Sequence, residues 1–406
     1  MGIMNLNNEV MKTLNATTVL RIIQEHEPIS RKELADLTGL TSSSITNIVN
    51  RLIKKKYLEE VGLGDSSGGR KPILLQLNPD AMYIIGIELN VDSIVGIITN
   101  FRAKKVKMIT IPTNQKEGEE SVLRRMVKVI NQLISSTGIP KEKIFGIGVA
   151  APGPYDHTKG VLLSPPNFPG WINVNIRDFI QEAVELPVYL EKETVAAALA
   201  EYMFGGAKGV KNLFVINSMV IGLGGGAIID GKIFHGFSDG ASDVGHMIID
   251  IEGPKCTCGS YGCLEALASG LYMRNMAVSE VKRGANSILT DIHDDIEEIC
   301  VEDIVCYFNK GDKLCKYIIE KTARHLGIGI ANIISMYSPE MIVIGGYLTT
   351  LCPEYVEKAV EFARSKQYPN FNKDIMIVPT TFGNEMAVIG AVSVVFNNFY
   401  KNIEIL

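Results

Sequence analysis

The sequence predicts an α/β protein: an N-terminal winged helix-turn-helix head over residues 1–79, then a body of two α/β lobes over 80–406. Three observations carry this. Three short helical patterns are punctuated by a capping box and a glycine turn. Two apolar strand patterns then flank a Gly/Ser loop with a basic tip. After residue 82, a pattern of three strands followed by alternating helices and strands occurs twice, which implies two lobes with a cleft between them.

The first helix is expected from a cap at Asn15 to about His26, with Val19, Leu20, Ile22 and Ile23 as its apolar stripe. Ser30-Arg31-Lys32-Glu33 is a capping box that opens a second, short helix ending at Thr38. Gly39-Leu40 turns the chain, and Thr41 or Ser42 caps a third helix. Its buried face is Ile45, Ile48, Val49, Leu52 and Ile53; Ser43, Asn47, Asn50, Arg51 and Lys54 face outward. Tyr57–Val61 and Ile73–Leu77 read as wing strands around Gly68-Gly69-Arg70-Lys71-Pro72, a thin basic tip suited to a minor groove. An ordinary helical subdomain or a flexible linker accounts for parts of this pattern. Neither accounts for helices, strands and basic tip in one continuous order. Candidate DNA contacts are Arg31, Lys32, Ser42, Ser43, Ser44, Thr46, Asn47, Asn50, Arg51, Gly69, Arg70 and Lys71, because amides and hydroxyls read base edges while Arg and Lys reach phosphates.

In the body, Tyr83–Leu89, Ser93–Thr99 and Val106–Ile111 are expected strands, followed by a helix near 120–135 and a strand at Ile144–Ala150. Asn212–Asn217, Val220–Leu223 and Gly226–Asp230 form the second set. A helix near 315–337, a strand at Met341–Ile344 and a final helix after Glu385 complete it. The lobes are expected at about 80–195, joined by the C-terminal helix, and at 196–390.

His246, Cys256, Cys258 and Cys263 form the strongest short motif. Three thiols and an imidazole are the ligands of a closed, structural Zn²⁺ site, and Gly259 and Gly262 allow the tight loop. The competing reading is three buried or disulfide-bonded cysteines beside an unrelated histidine. An odd total of seven cysteines argues against a disulfide framework, and Cys300, Cys306, Cys315 and Cys352 are expected as small core residues. A net charge of −5 hides a head with ten Lys/Arg against eight Asp/Glu. No run reaches a membrane span and no leader pattern is visible, so membrane insertion is not expected and the expected location is the cytoplasm.

On these residues the chain resembles the ROK family (repressors, open reading frames and sugar kinases), and within it the transcriptional-regulator branch that includes xylose repressors. The resemblance spans nearly the whole chain. It rests on Gly245-His246 through Cys256-Thr-Cys258-Gly-Ser-Tyr-Gly-Cys263-Leu-Glu265, on Ser164-Pro-Pro-Asn167-Phe-Pro-Gly-Trp171, and on the Gly-Gly-Arg-Lys-Pro wing. It implies an actin/hexokinase-like (ribonuclease H-like) body, a homo-oligomer (dimer or tetramer), and a small sugar effector in the cleft beside the zinc. The sugar contacts it implies are Asn167, Glu193, Asp243, His246 and Glu265, and their carboxylate, amide and imidazole groups suit paired hydroxyls. Trp171 is expected to pack behind that site.

The resemblance also raises a sugar kinase as the competitor. Where kinases of the family carry a Gly-Gly-Thr phosphate loop, this chain has Glu88-Leu-Asn90-Val-Asp92-Ser93. Where they carry an asparagine and a base aspartate, it has Lys192 and Glu193. Gly222–Gly226 keeps the glycines for a phosphate cradle, which is weak support alone, and Gly345-Gly346-Tyr347 near the expected adenosine site adds little. No catalytic residue is assigned. Asp243 in place of the family's glutamate, with Glu193 in place of its aspartate, is expected to shift sugar selectivity. The reading is a sugar-responsive repressor on a near-palindromic operator, with sequestration by a protein partner as a further alternative.

Overall fold

The computed structural model describes residues 8–64, 71–367 and 374–402. The head contains α1 (Asn8–His26), β1 (Ile29–Ser30), α2 (Arg31–Thr38), α3 (Ser42–Lys54), β2 (Leu58–Leu63) and β3 (Ile73–Leu77), the strands ordered β1-β3-β2. Ser30 caps α2 as expected: its hydroxyl accepts from the Glu33 amide at 3.3 Å, and the Glu33 carboxylate accepts from the Ser30 amide at 2.8 Å. Thr41 is the cap of α3. The first helix begins at Asn8, not Asn15, and Met11, Lys12 and Leu14 of the added stretch are exposed.

The first lobe holds β4 (Tyr83–Leu89), β5 (Ser93–Asn100), β6 (Lys105–Pro112), α4 (Glu119–Thr137), β7 (Ile144–Ala151), the short β8 (Tyr155–Asp156), β9 (Val161–Leu162) and β10 (Val174–Asn175), α5 (Ile176–Val184) and β11 (Val188–Lys192). After α6 (Glu193–Met203), the second lobe holds β12 (Leu213–Ser218), β13 (Leu223–Ile229), β14 (Lys232–Ile233), α7 (Leu264–Ala268), α8 (Gly270–Lys282), α9 (Val301–Asn309) and α10 (Lys313–Tyr337). It continues with β15 (Met341–Gly345), α11 (Tyr347–Leu351), α12 (Pro353–Ser365) and β16 (Met376–Pro379). The last helix, α13 (Met386–Asn402), returns to the first lobe and packs on β4, β7 and α6.

The two five-stranded sheets, β11-β7-β4-β5-β6 and β14-β13-β12-β15-β16, share one topology. In each, an antiparallel three-strand meander joins two parallel strands through its first strand. The expected duplication is therefore real, with one correction. Val220–Leu223 is not a strand: the Met219 amide bonds the Gly222 carbonyl at 3.0 Å, so this is a turn, and β14 is the third strand. Helix α6 is apolar on almost every side, with Thr194 through Glu201 buried between the sheets, and so carried no readable amphipathic period.

The head shares its core with the body. Phe399 of α13 packs its ring against Tyr57, Phe101, Phe145 and Tyr400, with centroids 5.2–5.9 Å apart among these pairs and Phe101–Tyr57. Thr17 donates to the Tyr400 carbonyl at 3.1 Å, the Tyr400 hydroxyl donates to Gln24 at 2.7 Å, and Arg102 meets Glu27 at 2.6 Å.

Candidate functional site

Between the lobes lies a cleft of about 760 Å³. Asn167, from the loop between β9 and β10, faces Glu193 at the start of α6, Asp243 and His246 after β14, and Glu265 at the start of α7. Five residues separated by almost a hundred positions in sequence thus line one cavity. Trp171 stands behind Asn167, 3% exposed and packed on Phe168 at 4.8 Å between ring centroids.

The cleft is acidic and partly uncompensated. Burial pushes the Glu193 carboxyl up to about 7; Lys192 opposes this, while Asp243 and Glu88 add to it. Its Oε2 is buried without a hydrogen-bond partner, which leaves an acceptor for a ligand hydroxyl. Burial likewise pushes Glu88 up to about 7, against the hydrogen bond that Asn90 donates at 3.0 Å. Glu265 is fixed: Oε2 accepts from the Leu223 amide at 3.1 Å and Oε1 from the Thr257 hydroxyl at 3.0 Å. The buried Lys192 ammonium crosses the cleft to Asp243 at 2.9 Å. Lys192 lines the site and was not among the expected ligand contacts; a lysine between two glutamates at a strand end was the signal available.

A raised carboxyl pKa has a stability consequence with a definite sign. The folded state holds the proton of Glu193 above the unfolded value, so its burial costs nothing below about pH 4 and a growing amount as pH rises toward 7. Glu193→Gln is expected to stabilise the protein by roughly 1–2 kcal/mol at pH 8 while removing one carboxylate acceptor from the cleft. Thermal melts of both proteins at pH 5 and pH 8 check this, with the gain confined to the higher pH.

The thiols and imidazole converge beside this cleft. Cys256 Sγ lies 3.6 Å from His246 Nδ1, and Cys258 Sγ lies 3.8 Å from Cys263 Sγ, with all four ligand atoms within 4.8 Å of one another. Tetrahedral Zn²⁺ with Zn–S bonds of ~2.3 Å gives edges of roughly 3.6–3.8 Å, so the cluster has the dimensions of a metal site. Burial, with Cys258 and Cys256 alongside, pushes the Cys263 thiol up to about 12, an opposition to thiolates that a divalent cation removes. Gly262 (φ +67°) closes the loop so tightly that a Cβ there would meet the Asp250 carbonyl oxygen at 1.5 Å. Of the other cysteines, Cys315 and Cys352 are core residues as expected. Cys300 is half-buried and Cys306 is exposed on the solvent side of α9, so the expectation fails there.

The wall expected for a phosphate loop carries side chains. Asn90, Val91 and Asp92 line the cleft, and the Asn90 amide is already bonded to the Ser93 carbonyl at 2.8 Å. Gly224, Gly225 and Gly226 belong to β13, not to a loop; a Cβ at Gly226 would lie 2.2 Å from the Thr194 carbonyl oxygen, so this glycine lets α6 approach the sheet. The Tyr347 hydroxyl donates to Glu302 at 2.6 Å along the same wall.

In the head, Ser42, Ser43, Thr46, Asn47, Asn50 and Arg51 of α3 are exposed, as are Lys32 and Lys71. Ser44 is half-buried against the Thr41 cap, and Arg31 pairs with Glu60 of β2 at 2.9 Å. Gly69 and Arg70 lie outside the described residues.

A family model described as the ROK family matches residues 84–398, most of the chain. The chain belongs to the ROK family. A MarR family model matches residues 13–66, so the head is of the winged-helix kind that the sequence predicts. The ROK chain is 33% identical over 394 residues to the xylose repressor of Caldicellulosiruptor bescii, covering 97% of this chain and 98% of that one. It is also similar, at TM-score 0.81 and 27% identity, to a ROK family transcriptional regulator that is a homolog of the E. coli MLC protein, over 96% of this chain and 97% of that one. A ROK hexokinase from Thermus thermophilus matches at TM-score 0.66 and 27% identity, covering all of that chain but 79% of this one.

Proposed function

We propose that this ROK protein is a sugar-responsive DNA-binding repressor of carbohydrate-utilisation genes, with D-xylose as the first effector to try. The observation that carries the reading is the pairing of two sites in one chain: an exposed polar face on α3, and a cleft where Asn167, Glu193, Asp243, His246 and Glu265 converge. The name of the C. bescii relative and its full-length match support xylose metabolism as the setting.

A structural Zn²⁺ held by His246, Cys256, Cys258 and Cys263 fits the donor set and spacing. When bound, it supplies a rigid cross-link and no reaction. His246 then keeps Nε2 for the sugar, and the loop ending at Glu265 is held in place. A dimer or tetramer would set two heads on a near-palindromic operator, α3 entering the major groove with Asn47 and Asn50 toward bases, and Arg51, Lys32 and the wing residues Arg70 and Lys71 toward phosphates. Sugar shifts the operator equilibrium only by its differential affinity for the two lobe arrangements. Such a protein acts in the cytoplasm.

Phosphoryl transfer is not expected, because side chains of Asn90, Val91 and Asp92 stand where phosphate oxygens need bare amides, and Asp92 adds negative charge. Purified protein with Mg-ATP should leave D-xylose and D-glucose unphosphorylated; turnover above that of the heat-unfolded protein would restore the kinase reading. The direct test of the regulator is a gel shift on operator DNA with and without sugars at fixed salt. Calorimetry against the same sugars separates a working sensor from a vestigial site governed by a protein partner, which gives no heat.

A further inference from the structure

Strand β11 ends on two charged residues that leave opposite faces of the sheet, as successive strand residues must. Lys192 enters the cleft. Glu191 turns the other way, is buried, and accepts from the Tyr155 hydroxyl, from the Lys192 amide at 3.0 Å and from His235 Nε2 at 2.9 Å. Next to this pair, His157 Nδ1 lies 2.8 Å from both oxygens of Asp239, and the His157 amide donates to Asp239 at 3.0 Å. The two imidazoles stack with centroids 4.3 Å apart and planes 2° from parallel.

Tyr155, His157 and Glu191 belong to the first lobe; His235 and Asp239 belong to the second, in the loop that runs from β14 to Asp243. Two crossed imidazole–carboxylate pairs therefore tie the lobes together on the side away from the sugar contacts. His157, His235 and Asp239 bring their ligand atoms within 4.8 Å of one another, but the parallel rings hold their in-plane lone pairs in separate planes, which disfavours one shared ion.

We propose that the His235–Glu191 pair, braced by the His157–Asp239 pair stacked against it, is a proton-dependent latch that positions the His235–Asp243 loop, and with it Asp243, against the first lobe. The consequence for ligand affinity rests on the sugar reading above; the latch itself does not. Burial works against a charged His235, and Lys401 of α13 acts in the same sense. The hydrogen bond and charge of Glu191, with the charge of Asp239, outweigh both and raise its pKa. The raised direction fixes the sign: the contribution is complete below the ordinary imidazole value of about 6.5 and is lost as pH rises through the higher folded value. Above it, Glu191 keeps the Tyr155 hydroxyl and the Lys192 amide but faces a neutral ring across the lobe boundary.

Hydrogen–deuterium exchange of the full-length protein between pH 6 and 8.5, corrected for intrinsic rates, tests the latch. Protection of residues 234–243 should fall at least threefold relative to the β4–β5 ladder as pH rises. His235→Gln still donates to Glu191 but does not titrate, and should flatten that profile. Should it fail to fold, Glu191→Gln removes the charge that holds the proton and should flatten it too. An equal fall in wild type and variant, or no fall in wild type, overturns the latch. Calorimetry with D-xylose across the same range should show binding weakening toward pH 8.5 by at least threefold more in wild type than in His235→Gln, the part common to both belonging to Glu193 and Glu88; no heat at any pH counts against the sugar reading and leaves the exchange result standing.

Discussion

Phe399→Ala is expected to cost about 3–5 kcal/mol and to uncouple the head from the body. The ring is 2% exposed and joins Tyr57 of the head to Phe101, Phe145 and Tyr400, so its removal opens a cavity at the junction itself. Of the ties that remain, the Tyr57–Phe101 ring pair loses the neighbour that backs it, and those of Thr17 and Gln24 to Tyr400 and of Arg102 to Glu27 are polar, the Arg102 pair partly exposed. An ion pair of that kind contributes ~0–1 kcal/mol and cannot replace the ring. Calorimetric melting should resolve a low-temperature head transition from a body transition, and operator affinity should lose its response to D-xylose. A single transition at the wild-type temperature would show that the aromatic cluster is not what docks the head.

Cys263→Ser should produce the second large effect. Cys263 is buried at the end of the loop and faces Cys258 at 3.8 Å, so a serine removes one ligand and leaves a hydroxyl among the remaining thiols and His246. Structural zinc in peptides supplies on the order of 10–16 kcal/mol of apparent binding energy, and on the zinc reading proposed above part of that is loop ordering. The variant should be isolated without bound zinc by elemental analysis, be cut by protease between residues 247 and 263, and bind D-xylose at least tenfold more weakly. Glu265 and His246 would lose their common support, whereas the head, remote from this loop, should keep its basal operator affinity. Full zinc content, or unchanged sugar affinity in a zinc-free protein, would break the proposed link between metal and sensor.

Sequence legibility followed how local the controlling interactions are. The Ser30–Glu33 box, the α3 face and the first meander are short-range patterns that the structure reproduces within a residue or two, whereas the second meander is found with its second and third strands shifted to Leu223–Ile229 and Lys232–Ile233. The four metal-type ligands fall within eighteen residues, so their convergence needed one tight loop. The glycines at 224–226 were weak evidence in the sequence because a phosphate cradle and a close helix–strand approach ask for the same residue. Helix α6 was invisible because burial on all sides erases periodicity. The Glu191-Lys192-Glu193 run was the one local signal for Lys192, and the pairings of Lys192 with Asp243, His235 with Glu191 and His157 with Asp239 were unreadable because each crosses between the lobes. The docking of the head on α13 was equally unreadable, being a contact between opposite ends of the described chain.

That last contact also orders events during synthesis. Thr17 and Tyr400 are 383 residues apart, and at translation rates of ~5–20 residues per second the head waits on the order of tens of seconds for its docking helix. Until α13 is made, Thr17 and Tyr57 of the head lack the carbonyl and ring partners that it supplies. Each nascent chain therefore passes through a period in which it carries a DNA reader with no sensor attached.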